Sequence, residues 1–192
     1  AQEALHRGMI RRKSHRLGMF GQVRQADGIV VCPQQPKNTF SDRQAADTVT
    51  FLLADARRQE VGAATINWIT QTSFSPPLVA VGVKADSTNH HHIRDTGVFA
   101  VNILGKDQLD LAFNFFKTHE REGDSIGGQQ FEAGKETGCP LLLNSPAWWE
   151  CKVVGEVAEG DHTMFVGEVV EAGVRSEDQA ILMRDHNLNY GG

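Results

Sequence analysis

Pro76 and Pro77 stand side by side between two apolar runs, and they constrain the fold more than any other pair in the chain. Each proline locks its own φ and lacks the N–H that a helix interior or an inner strand must donate, so no regular element passes through both. The run before them, residues 62–72, must end there, and the run after them, residues 78–83, must begin afresh. Both are rich in strand-favouring residues, and the second is apolar throughout, as in a strand buried on both faces.

The strand pattern recurs along the chain. Residues 48–55 (TVTFLLAD) read as a strand, with Arg57, Arg58, Gln59 and Glu60 as the exposed turn of a hairpin. Residues 98–104 form another apolar run, residues 149–157 and 163–174 are long alternating segments, and residues 180–184 make a last strand. From residue 48 onward two helices are expected. Ser87 or Asn89 caps the first, which runs to about Asp95 and ends at Gly97. The second covers residues 106–117, with Leu109, Ala112, Phe113 and Phe116 at helical spacing and Asp107 at its positive end. Residues 131–146 are expected to be irregular. Strands dominate and βαβ alternation is missing, which indicates a mainly β chain closed as a barrel or sandwich.

With 192 residues, 40% of them hydrophobic, one domain with a real core is expected. Residues 1–47 differ from the rest: they hold eight Lys/Arg against four Asp/Glu, whereas the remainder holds eleven against twenty. They are read as a basic N-terminal extension of unassigned role, with a weak helix over residues 4–16 and a short strand over 28–32, and residues 48–192 as the domain. The basic extension carries no interleaved aromatics, and the domain is acidic, so nucleic acid is not an expected partner.

No apolar run is long enough for a membrane span, and the first residues lack the apolar core of a secretory signal, so a cytoplasmic location is expected. Cys32, Cys139 and Cys151 are odd in number and include no C-x-x-C pair, which speaks for reduced, buried thiols. Gly-rich dinucleotide loops, a P-loop, a nucleophile elbow and a zinc helix are all missing from the sequence. His90, His91 and His92 tempt one toward a metal, but successive side chains on one element diverge, and no metal is assigned.

The proline break also has chemical meaning. Backbone groups at the end of a strand lie open to a ligand, and the prolines cannot donate, so the open donors fall between Trp68 and Ser75. Thr70, Gln71, Thr72, Ser73 and Ser75 add short polar side chains, a row suited to the edge of a planar heterocycle whose face Trp68 can cover. One strand later, Asp86, Ser87, Thr88 and Asn89 open the first helix, a phosphate site in the making, with Lys84 near enough to add charge. Capping and turn roles explain the same residues.

The pattern T-x-N-W-x-T-x-x-S-F-x-P-P-L-V-x-V-G-V-K-x-D-S from Thr65 to Ser87, followed by G-x-F-x-V-N-x-L from Gly97, resembles the flavin reductase-like family of FMN-binding split barrels. GDHTMFVGEVVEAGV, from Gly160, and the terminal NYGG resemble its later segments. The resemblance implies a six-stranded antiparallel split β-barrel of Greek-key form with flanking short helices, assembled as a homodimer. It implies an isoalloxazine ring lying against Asn67, Trp68, Ile69 and Thr70, and a phosphate end at Ser87 and Asn89, where the family more often has Thr than Asn. It places Asp161 and His162 beside the nicotinamide, His162 as the ring that meets it and Asp161 as its orienting partner. Phe116 would wall the site, and His90, at a position where the family often has His, would face the nucleotide or cap the helix.

The implied activity is NAD(P)H-dependent flavin reduction, a hydride passing from nicotinamide to flavin N5 and then on to an acceptor. FMN is the expected flavin, with FAD possible, and NADH or NADPH the donor. The acceptor is left open among free flavin, a monooxygenase component, ferric iron, a corrinoid and a redox protein. Two other readings stand beside it: an FMN-containing electron-transfer flavoprotein of flavoredoxin type serving a protein partner, and a binding barrel whose basic extension docks a partner.

Overall fold

The computed structural model describes residues 50–54, 61–116 and 119–186. The expectations for residues 1–47, for the turn at residues 57–60 and for the terminal NYGG lie outside them.

Seven antiparallel strands form the main sheet, in the order β2-β1-β5-β10-β11-β4-β3. Their bounds are β1 Thr50–Ala54, β2 Gly62–Ile66, β3 Ile69–Phe74, β4 Pro77–Lys84, β5 Val98–Ile103, β10 Ala147–Val157 and β11 His162–Val174. A second sheet of four short strands, β6 Arg121–Glu122, β7 Ser125–Ile126, β8 Gln129–Ala133 and β9 Pro140–Leu142, packs beside it. Two helices, α1 Thr88–Thr96 and α2 Leu109–Asn114, complete the described fold.

The stretch expected to be one strand, residues 62–72, is two. β2 pairs with β1 and β3 pairs with β4, at opposite edges of the sheet, and only Asn67 and Trp68 connect them. Ile69 N–H donates to Asn67 O over 3.0 Å, closing a three-residue turn on Trp68. Were the sheet flat, six strand spacings would part its edges by roughly 29 Å, whereas the Asn67–Trp68 link reaches roughly 10 Å. The sheet must therefore curl until β2 and β3 meet at this corner. It has seven strands rather than the expected six, and no closed barrel forms among the described residues.

Three further expectations are corrected. Residues 131–146 are not irregular throughout, because Gly134 and the left-handed Gly138 (φ 76°) turn the end of β8 back onto the short strand β9. The last strand shrinks to isolated bridge residues, Ala180 opposite Gly105 and then Leu182, since the chain tightens into a 3-10 turn at Met183–His186. The second helix is shorter than expected; the Gln108 side chain accepts from Gly105 N–H at 2.7 Å and so occupies the turn before Leu109.

Val79, Val81, Val83, Ile93, Phe99, Val101, Trp149 and Phe165 fill the inside of the curled sheet. Two buried polar side chains join it to the smaller one. Asn102 accepts from Leu142 N–H at 2.8 Å and donates to Pro140 O at 3.2 Å, a side chain standing in for a strand neighbour. Glu150, wholly buried, accepts from Thr137 N–H at 2.7 Å and from its hydroxyl at 2.6 Å, which pins the loop before β9 to β10.

Candidate functional site

Register decides which side chains share a face. His162 lies opposite Lys84, Met164 opposite Gly82, Val166 opposite Ala80, and Ala80 opposite Thr70. Directly opposed residues point to the same side of a sheet, so His162, Met164, Lys84 and Thr70 all project from the outer face. Thr163 and Phe165, paired with Val83 and Val81, project inward.

On that outer face, Trp68 lies across Gly82. A Cβ on Gly82 would stand 3.0 Å from Trp68 Cε3 and 3.2 Å from Trp68 Cβ, and Gly82 N–H donates to Trp68 O at 2.9 Å. The glycine of V-G-V-K thus gives the indole its seat. Trp68 nevertheless remains 47% exposed, and the His162 ring tilts against it with centroids 4.7 Å apart. A broad aromatic surface stays open to solvent beside an imidazole.

Asp161 is exposed, and His162 donates from Nδ1 to its Oδ1 at 3.1 Å. A carboxylate can only accept, so Nδ1 carries the proton of this bond and Nε2 is the ring nitrogen left to face a ligand. That hydrogen bond, and then the charge of His162, hold the Asp161 carboxyl below the usual carboxylate range. Ala85 N–H donates to Asp161 O at 2.9 Å, which ties the 160–162 turn to the end of β4.

Ser87 caps α1. Its Oγ accepts from His90 N–H at 3.2 Å and donates to Lys84 O at 2.7 Å. The positive end of a nine-residue helix therefore opens beside Lys84, whose ammonium is 3.2 Å from Asp86. A phosphate meeting Ser87 would find the hydroxyl proton already committed to Lys84 O. Its attraction would come from the helix end and from Lys84.

The expected site residues separate. Trp68, Lys84, Ser87, Asp161 and His162 form one continuous group along the ends of β4 and β11, with Thr70 exposed on the same face. Ile69 is half-buried and packs against the core. Asn67 turns away, its amide donating to Met183 Sδ at 3.0 Å. Ser73 follows a bulge at Thr72, and its carbonyl accepts from Gln71 at 3.1 Å. Asn89 is buried, its amide oxygen pressed against Gly62, because it lies on the side of α1 that faces β2. Phe116 stands 62% exposed just beyond α2, beside Phe113, and Thr65 joins that helix to β2 by donating to Ala112 O at 2.7 Å.

His90 neither faces the nucleotide side nor caps the helix with its ring. It is 5% exposed, and its Nε2 is 2.8 Å from Thr163 Oγ1 on the inner face. Burial first, then the charges of Arg94 and His91, lower its pKa. His92 is buried and His91 exposed, so the three histidines diverge. Among the described residues, no group of three or more His, Cys, Asp or Glu is gathered. Sequence reasoning missed Gly82, Thr163 and Met183. Gly82 alone left a trace, as a glycine inside an apolar strand.

An outer face with an exposed indole over a glycine, an edge strand, and a helix end with a lysine suits a flavin: a ring, a row of backbone groups and an anion site in sequence. The profile of the Flavin reductase like domain family matches residues 43–191. The NADH-dependent FAD reductase of Streptomyces globisporus is 36% identical over 140 residues, covering 72% of this chain and 74% of that protein. A probable flavin reductase of Rhizobium meliloti is 32% identical over 65% of this chain, which spans only 39% of that longer relative. The styrene monooxygenase flavin reductase of Pseudomonas putida S12 superposes with a TM-score of 0.60 at 32% identity, over 73% of this chain and 90% of that one.

Proposed function

The chain belongs to the flavin reductase-like domain family, and from that premise we propose the activity its outer face supports best, NAD(P)H-dependent reduction of flavin. The observation that carries the reading is the open Trp68 surface with the His162 ring inclined against it. A bound flavin supplies the hydride-accepting chemistry, and the protein's task is placement.

Each residue has a part in that placement. Trp68 covers the ring system, and the edge of β3 around Thr70 and Ser73 offers backbone groups to its polar rim, with Asn67 and Ile69 shaping the corner. Ser87 and Lys84 hold the anionic tail at the positive end of α1; Asn89 contributes there through the fold of the helix's first turn. His162, oriented by Asp161, accepts a hydrogen bond from the nicotinamide carboxamide and steers that ring onto the flavin face. Phe116 closes the α2 side. Bringing two rings into contact at the reacting atoms is the main rate effect available to such a site.

FMN is the flavin we favour, since the tail site is a single helix end. Two copies of the chain would cover the exposed Trp68, Phe74, Val157 and Met164, and we take the working form to be that dimer. The acceptor in our reading is free oxidised flavin, which leaves reduced and is passed to an oxygenase, as the likeness to a styrene monooxygenase reductase suggests.

The test is anaerobic mixing of the purified protein and FMN, then FAD, with NADH or NADPH. Loss of the flavin band within seconds is expected with one of the nucleotides. Flavin that binds but is bleached by neither would point to the electron-transfer flavoprotein instead.

A further inference from the structure

We propose that His90 is a positioning residue for this reaction, bracing the 160–162 turn from the inner side of the sheet so that His162 keeps its place over Trp68; the proposal rests on the reading of the site given above. The two faces meet through consecutive residues. Thr163 points inward to His90, while its neighbour His162 points outward to Trp68. A strand that pivots at Thr163 therefore swings His162.

His90 is well anchored for this role. Its backbone N–H is held by the Ser87 cap, its ring packs 5.4 Å from the Phe165 ring, and its Nε2 meets the buried Thr163 hydroxyl. Ser87 and Asp161 in turn both bond the backbone at Lys84–Ala85. The start of α1, the end of β4 and the start of β11 thus close a ring of contacts, in which the His90–Thr163 hydrogen bond, beside the His90–Phe165 ring contact, ties α1 to β11. His90 Nδ1 is buried without a partner among those residues, so the imidazole serves as a single-ended strut rather than as a ligand or proton relay. A leucine of similar bulk would fill the space, and the hydroxyl of Thr163 would have no reason to be buried there unless its bond has a use.

The experiment compares Thr163→Val, Thr163→Ser, His90→Leu and the Thr163→Val/His90→Leu double variant with the wild type. Anaerobic stopped-flow gives the limiting rate of flavin bleaching at saturating NADH or NADPH; fluorescence quenching gives flavin Kd, and a thermal melt gives Tm. Thr163→Val and His90→Leu are expected to slow the limiting rate by about tenfold each, a loss of orientation. Flavin Kd should change less than about twofold, so that the effect falls on the chemical step and not on binding. The double variant should be no slower than the worse single one, and Thr163→Ser should recover the wild-type rate. A wild-type limiting rate in Thr163→Val, whatever its Tm, overturns the proposal while leaving the flavin reductase reading intact. So does a double variant whose loss multiplies those of the singles. Wild-type protein that binds flavin yet is bleached by neither nucleotide removes the parent reading, and this proposal falls with it.

Discussion

The imidazole of His162 and the indole of Trp68 lie 4.7 Å apart, centroid to centroid, at an angle of 47°, although almost a hundred residues separate them in sequence. Gly82 lies under the indole and Lys84 lies opposite His162 on the neighbouring strand. The contact is held by two antiparallel pairings, β11 and β3 on either side of β4, and it turns strand ends into a candidate ligand face.

Gly82→Ala tests the seat of the indole. The new methyl group meets the indole at 3.0 Å, and the exposed ring can tilt outward to make room. Stability should fall by less than about 1 kcal/mol. Tryptophan fluorescence should shift and flavin affinity should drop by about tenfold, because the covering surface has moved. Unchanged flavin binding would remove Trp68 from the account.

His162→Ala should lower the limiting rate of flavin reduction by about tenfold or more while flavin Kd stays within about threefold. Asp161→Asn should give a smaller loss of the same kind, since it keeps an oxygen acceptor but loses the charge that fixes the ring's proton. Single-turnover rates with and without flavin saturation distinguish the two steps.

Ser87→Ala removes a helix cap and should cost about 1 kcal/mol of stability. Flavins with a phosphate should lose affinity while riboflavin, which has none, is held as before. Equal loss for FMN and riboflavin would mean that Ser87 supports the helix and no anion.

The lowered pKa of His90 sets a pH dependence of stability. A histidine that binds its proton less readily when folded than when unfolded leaves the native state fully favoured above about pH 6.5. Stability then declines as pH falls from there toward the depressed folded value, because the unfolded chain takes up the proton first. Arg94 and His91 repel a charged His90, Glu156 attracts it, and burial is the larger effect. Melting curves from pH 8 to about pH 5 should show this decline, and His90→Gln should remove its share of it.

Glu150→Gln places an amide where Thr137 and Glu136 direct three N–H or O–H donors at a side chain that is wholly buried. A loss of about 3 kcal/mol is expected. Flavin binding at temperatures well below the melt should be unaffected, since Glu150 lies on β10 and makes its bonds to the smaller sheet's loop. Urea unfolding together with flavin titration separates the two outcomes.

Much of the fold is legible in residue order. Period-two alternation marks β10 and β11, the apolar run marks β4, Gly97 with φ 68° ends α1 as its position suggests, and Ser87 caps it. The corner at Asn67–Trp68 is not legible, because residues 62–72 read as one strand; only the choice of different partners, β1 for one half and β4 for the other, breaks it. Asn102 reads as an ordinary polar residue in an apolar strand until β9 lies beside it.

The same division runs through the site. Chain order and side-chain chemistry alone point to the mainly β class, the proline break, the helix cap and the candidates Trp68, Lys84 and Ser87, since each depends on local conformation or on the residue's own functional groups, whereas Asp161 and His162 come from the resemblance to the family. Which of these share a face, that Gly82 seats Trp68, that Asn89 is buried, and that His90 reaches Thr163 were settled only by the tertiary structure. Strand register is a long-range choice, and a shift of one residue would send each of these side chains to the other side of the sheet.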